Sequence, residues 1–128
     1  RCRYGSAPLI IGSQLDHNIS SSFGGGVLSE SSSPTIQDCV VAQNSAGYGA
    51  GLCLRGSTAS VRGCTIVSNG APGYFCSMGV QGGGIYCESS SPEIIGCVIN
   101  ANQVGRYSQN QVEGRGAGLY IDEHSGPA

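Results

Sequence analysis

Tryptophan is absent from this 128-residue chain, methionine occurs once and phenylalanine twice. Charge is equally sparse: 11% of residues are charged and the formal net charge is −2. With no basic patch to hold a polyanion, nucleic acid is excluded as an expected partner. No apolar run is long enough to span a membrane as a helix, and no window carries a helical apolar stripe. CxxC pairs of the kind zinc sites use are missing. No Ser-His-Asp or Cys-His arrangement for nucleophilic catalysis can be assembled. Nor is there an initiator Met or a signal peptide. Between Arg1-Cys2-Arg3 and Ser125-Gly126-Pro127-Ala128, the chain is expected to be a mature product or an excised segment.

What is abundant is glycine, at 22 residues, with serine and seven cysteines. Low charge with many Ser, Gly and Cys points to an exported protein. An odd cysteine count leaves at least one thiol unpaired within the chain. Gly and Ser in such quantity accompany disorder when they are scattered. Here they recur in register with aliphatic residues, which points to order.

The recurrence is a repeat of roughly 25 residues. Residues 82–99 nearly duplicate residues 24–41, a third copy runs from Gly49 to Ile66, and a fourth begins at Gly116. A partial copy, from Pro8 to Asn18, precedes them. Aligned, the copies give columns: Val27, Leu52, Ile85 and Leu119; Ser29, Leu54, Cys87 and Ile121; Ile10, Ile36, Val61 and Ile94; Leu15, Val41, Ile66 and Ile99. Two more hold Ser13, Cys39, Cys64 and Cys97, and Asn18, Asn44, Asn69 and Asn102.

Each copy thus has three short apolar stretches of period two, the signature of strands with alternate side chains inside and outside. Gly triplets, Ser-Ser-Pro and Asn separate them as turns. Three strands and three turns per copy make one coil of a solenoid, with strands of successive coils pairing at about 4.8 Å. The expected fold is all-β: a right-handed parallel β-helix of four to five coils, near residues 5–23, 24–48, 49–81, 82–115 and 116–128, forming one domain or a segment of a longer solenoid.

The columns carry structural roles. Gly26, Gly51, Gly84 and Gly118 suit a turn needing positive φ or a close backbone approach. The Asn column reads as stacked turn residues bonding backbone groups. Asn18-Ile19-Ser20 also fits the glycosylation acceptor pattern. Cys39, Cys64 and Cys97 are expected to form a stacked core ladder. Cys87 points inward as well, and Cys53 outward. Cys2 and Cys76, placed in irregular segments, are the expected candidates for pairing. Asp16 and His17, as neighbours on a strand, are expected on opposite faces.

The residues at 82–87, 90–99 and Asn102, with their counterparts from 24 to 69, resemble the right-handed parallel β-helix proteins of the pectin-lyase-like superfamily. Similar runs occur in large secreted or surface proteins of environmental bacteria, so the resemblance implies a secreted or cell-surface location. It implies fold more than activity, since this fold hosts lyases, hydrolases, adhesins and inert stalks. Polysaccharide-binding members often use the outer face of the first strand, which here holds Leu28, Cys53, Tyr86 and Tyr120. Tyr86 and Tyr120 are therefore candidates for stacking on sugar rings.

Two long loops, 70–81 and 103–115, belong to neighbouring coils, and long insertions on one face are where repeat proteins place binding. Their candidate ligand-binding residues are Tyr74, Arg106 and Tyr107. Glu88 and Asp122, in a column with Glu30 and Arg55, are the weak candidates for holding Ca²⁺. Alternating surface charge is the simpler reading of that column. No catalytic residues emerge, and no cofactor is required. A non-catalytic structural or adhesive module is thus expected, with copies of itself end to end or adjoining coils as partners. The alternative is a polysaccharide-binding or polysaccharide-degrading protein.

Overall fold

A computed structural model describes residues 1–71, 81–105 and 114–126. Their strands, numbered along the chain, form three long sheets that wrap one axis. The first sheet contains β1 (Cys2–Arg3), β4 (Val27–Glu30), β7 (Leu52–Arg55), β11 (Ile85–Glu88) and β15 (Leu119–Ile121). The second contains β2 (Leu9–Ile11), β5 (Thr35–Gln37), β8 (Ser60–Arg62) and β12 (Glu93–Ile95). The third contains β3 (Gln14–Asp16), β6 (Val40–Ala42), β9 (Thr65–Val67) and β13 (Val98–Asn100). A short fourth ladder pairs β10 (Gly70–Ala71) with β14 (Gln103–Val104), so both long insertions begin as strand.

Every pairing is parallel and places each repeat residue directly over its equivalent. Val27 lies on Leu52, Leu52 on Ile85, and Ile85 on Leu119. The second and third sheets do the same with Ile10, Ile36, Val61 and Ile94, and with Leu15, Val41, Ile66 and Ile99. The inward columns merge into one aliphatic core, fully buried in the middle coils and half-buried at Ile10, Leu15, Ile94 and Ile99.

Turns use left-handed backbone in columns as well. Tyr4, Ser31, Gly56 and Ser89 follow the first sheet, while Gly12, Asp38, Gly63 and Gly96 separate the second from the third. His17, Gln43, Ser68 and Ala101 follow the third sheet, and Gly24, Gly49, Gly82 and Gly116 precede the first. The open choice at the glycine column is thereby resolved. Positive φ belongs to Gly24, Gly49, Gly82 and Gly116, whereas Gly26, Gly51 and Gly84 serve close approach. A Cβ on Gly51 would sit 2.5 Å from the Gly84 carbonyl oxygen of the next coil.

Two expectations are corrected. His17 does not face away from Asp16: its left-handed φ of 54° ends the strand alternation, and its Nδ1 lies 3.6 Å from Asp16 Oδ2. Cys2 is not in an irregular segment. It pairs in register with Ser29 in the inward column of the first sheet, as a buried free thiol. Its proposed partner Cys76 lies outside the described residues.

Candidate functional site

Three axial ladders take up most of the polar side chains that point inward or into turns. The asparagine ladder is the most complete. Asn69 Oδ1 accepts from both Asn44 N and Asn44 Nδ2 at 3.0 Å, and Asn69 Nδ2 donates to Val41 O at 2.9 Å and to Asn102 Oδ1 at 3.0 Å. Asn44 repeats the pattern towards Asn18 and Leu15 O. Each side-chain amide thus satisfies one backbone donor and one backbone acceptor of the preceding coil, as buried turns require. Asn18, the possible glycosylation acceptor, spends its Nδ2 on Asn44.

The cysteine column is a second ladder. Cys64 Sγ donates to Ile36 O at 3.4 Å and Arg62 O at 3.3 Å, and Cys39 and Cys97 do the same at their own coils. Ser13 holds this position in the half-exposed first coil and donates to Ile11 O. Burial pushes the thiols of Cys53, Cys64 and Cys87 above the ordinary range, Cys87 to about 12. These three are therefore thiols rather than thiolates at neutral pH.

The third ladder had no counterpart in the sequence reading beyond the turn chemistry of Ser-Ser-Pro. Ser57 N donates to Ser90 Oγ and Ser90 N to Ser125 Oγ, both at 3.0 Å. Ser57 Oγ reaches back to Ser32 O at 2.8 Å. Its signal was the recurrence of Ser32, Ser57 and Ser90 at one repeat position.

On the outer face of the first sheet, Tyr86 and Tyr120 do come together, with ring centroids 5.4 Å apart and planes at 6°. They belong to a longer aromatic row. Tyr48 meets the edge of Tyr86 at 5.3 Å, Phe23 stacks on Tyr48 at 4.9 Å, and the Arg55 guanidinium lies 4.3 Å from the Phe23 centroid. Phe23 and Tyr48 escaped the column alignment because they occupy a different repeat position. Each of the four left-handed glycines that precede the first sheet has one ring, either just before it (Phe23, Tyr48) or four residues after it (Tyr86, Tyr120).

Tyr86 is only 7% exposed. A sugar ring stacking on it must displace Tyr48 or Tyr120. Replacing it, Tyr86→Ala, is expected to cost about 3 kcal/mol of stability, as for other buried aromatics, and a shift in the urea midpoint measures it.

The charged column beside this row is ion-paired from Arg1 as far as Glu88. Arg1 and Arg3 hold Glu30, and Arg55 joins Glu30 to Glu88. Exposed pairs of this kind contribute little each. Glu88 thus faces Arg55, while Asp122 Oδ1 accepts from Ser89 N at 3.1 Å and from Ser125 Oγ. The bond from the Ser125 hydroxyl is the main cause that holds the Asp122 carboxyl below its usual range. Among the described residues, no group of three metal-ligating side chains converges. Tyr74, Arg106 and Tyr107 lie outside the described residues.

A family model described as a right handed beta helix region matches residues 4–127. The chain belongs to the right-handed β-helix family. No curated protein and no solved structure matches it.

This β-helix also carries an open groove that the sequence reading did not single out. It measures about 500 Å³ and runs over the outside of the asparagine ladder. His17, Gln43, Ser68 and Gln103 line it, so it holds no carboxylate, ammonium or guanidinium, and polar groups are set among apolar surface. Its signal was again a column, the left-handed residues after the third sheet. None of the described residues forms a helix long and apolar enough to cross a membrane.

Proposed function

We propose that this β-helix is a non-catalytic extracellular or cell-surface module, a stiff rod with structural or adhesive work. One observation carries the reading: among the described residues, the ladders, the aromatic row and the charged column commit their side chains to neighbouring coils. Cysteine thiols bond carbonyls, asparagines bond turns, tyrosines stack on each other, and Glu30 and Glu88 face arginines. Incubation of the folded chain with polyuronates and Ca²⁺ tests it. No rise in ultraviolet absorbance from unsaturated products and no new reducing ends are expected; turnover above that of the heat-unfolded chain contradicts the reading.

End-to-end assembly is the proposed mode of partnering. In its favour, among the described residues Leu119 and Ile121 of β15 stand in the inward columns of the first sheet and are nevertheless exposed. Geometry sets a condition on it. β15 stands one layer beyond β12 and β13, so a copy seated with its β1 on β15 leaves a layer to be filled over the other two sheets. Electron microscopy separates filaments from single rods.

The second reading is polysaccharide binding, favoured by the open groove in which the Gln43 and Gln103 amides stand among apolar surface. Binding on a glycan array that is lost in Gln43→Ala/Gln103→Ala supports the groove. Loss in Tyr86→Ala/Tyr120→Ala instead supports the aromatic face.

A further inference from the structure

The cysteine ladder has a geometry that packing alone does not use. Cys39, Cys64 and Cys97 each donate to the carbonyl two residues back and to a carbonyl one coil earlier, at 3.2–3.5 Å throughout. Equivalent contacts mean equivalent side-chain settings. Successive sulfurs are therefore separated by the coil translation, about 4.8 Å. That is far too long for a disulfide, whose sulfurs lie about 2.05 Å apart. It is close to the span of a linear thiolate–metal–thiolate unit, which is about 4.6 Å for two bonds as long as the zinc–thiolate bond, about 2.3 Å.

We propose that Cys64 and Cys97 form a two-coordinate site for a soft ion that prefers linear thiolate ligation, with Hg(II) the best match. Thiolates select soft metals. On binding, two S–H bonds break, two S–Hg bonds form, and two protons leave to solvent; nothing is oxidised or reduced. The product carries no net charge, so the apolar core accepts it without burying an ion. A monovalent ion such as Ag(I) would leave a negative charge there. Zn(II) requires a tetrahedral set of four ligands, and the described residues bring no three together.

Exposure distinguishes the pairs: Cys39 and Cys64 are each 1% exposed, whereas Cys97 is half-buried. Ser13 ends the thiol column at the opposite end. The site is independent of the structural reading above, which neither requires nor forbids it.

The test uses the full chain carrying Cys2→Ser and Cys76→Ser, which removes two competing thiols. The folded protein is loaded with Hg(II) in excess small monothiol, desalted, and analysed for metal per chain. One ion per chain is expected, with Cys64 and Cys97 protected from alkylation. Adding Cys97→Ser should lower retention at least about tenfold, a loss that even outer-shell partners of a metal can cause. Adding Cys39→Ser should leave it unchanged. Cys97→Ser sits at a half-buried position and mimics Ser13, so folding checked by circular dichroism keeps that arm decisive. No retention, equal retention by Cys97→Ser, protection mapped to other thiols, or equal retention of Zn(II) overturns the proposal.

Discussion

Asn69→Ala is expected to destabilise the protein by about 4 kcal/mol, read as a fall in the urea midpoint at unchanged slope. Asn69 is 1% exposed and its side chain makes four hydrogen bonds. Alanine leaves Asn44 N–H and the Val41 carbonyl without these partners in a buried turn. Each group stranded in this way costs about 1–3 kcal/mol, because water is not there to replace the lost bond. Asn18→Ala removes one such bond, from Nδ2 to Asn44 Oδ1, at an exposed end of the ladder. It should cost about 1 kcal/mol or less. Equal effects of the two substitutions would mean that the ladder does not act as a buried network.

Gly51→Ala should be at least as damaging, at about 4 kcal/mol or outright failure to fold. The added Cβ lands 2.5 Å from the Gly84 carbonyl oxygen. That same oxygen accepts from Leu52 N at 2.8 Å. The methyl group therefore strikes the acceptor of a coil-to-coil hydrogen bond in the first sheet, and neither backbone can yield without separating the coils. Gly56→Ala is the contrast. Its φ is +55°, but the nearest atom to a new Cβ is Ser31 Oγ at 3.6 Å. Only the left-handed conformation is charged against it, about 1–2 kcal/mol. Ser31 and Ser89 already adopt that conformation at the equivalent positions. Thermal unfolding followed by circular dichroism should separate the two variants clearly.

The column structure of the fold was legible because strands of successive coils pair without offset. Sequence period then maps directly onto space, and the aliphatic, Asn and Cys columns could be read before any coordinates. Errors arose where that mapping stops. Period-two alternation holds inside a strand, and His17 sits just beyond one, in a left-handed turn. Cys2 lay too close to the first residue for a repeat to be recognised, yet it pairs with Ser29.

The aromatic row was only half visible. Tyr86 and Tyr120 share a column, but Phe23 and Tyr48 reach the same face from the other side of the glycine turn, and contact between two repeat positions leaves no mark in a single aligned column. The serine ladder was hidden for a different reason: serine in a turn, as in Ser32-Ser33-Pro34 and Ser90-Ser91-Pro92, is explained by turn chemistry alone, so its burial gave no separate signal. The exposure of the groove along His17, Gln43, Ser68 and Gln103 depends on how the turns splay, which residue type does not report.

Backbone-amide hydrogen exchange at Asn44 and Asn69 most directly tests whether the repeat residues are committed to holding coil against coil. Both amides donate to a side-chain oxygen of the next coil, Asn44 N to Asn69 Oδ1 and Asn69 N to Asn102 Oδ1, each at 3.0 Å. The expected result is exchange as slow as that of the neighbouring strand amides in β6 and β9, because opening either bond requires parting two coils. Exchange at the rate of exposed turn amides, with the strands still protected, would contradict it.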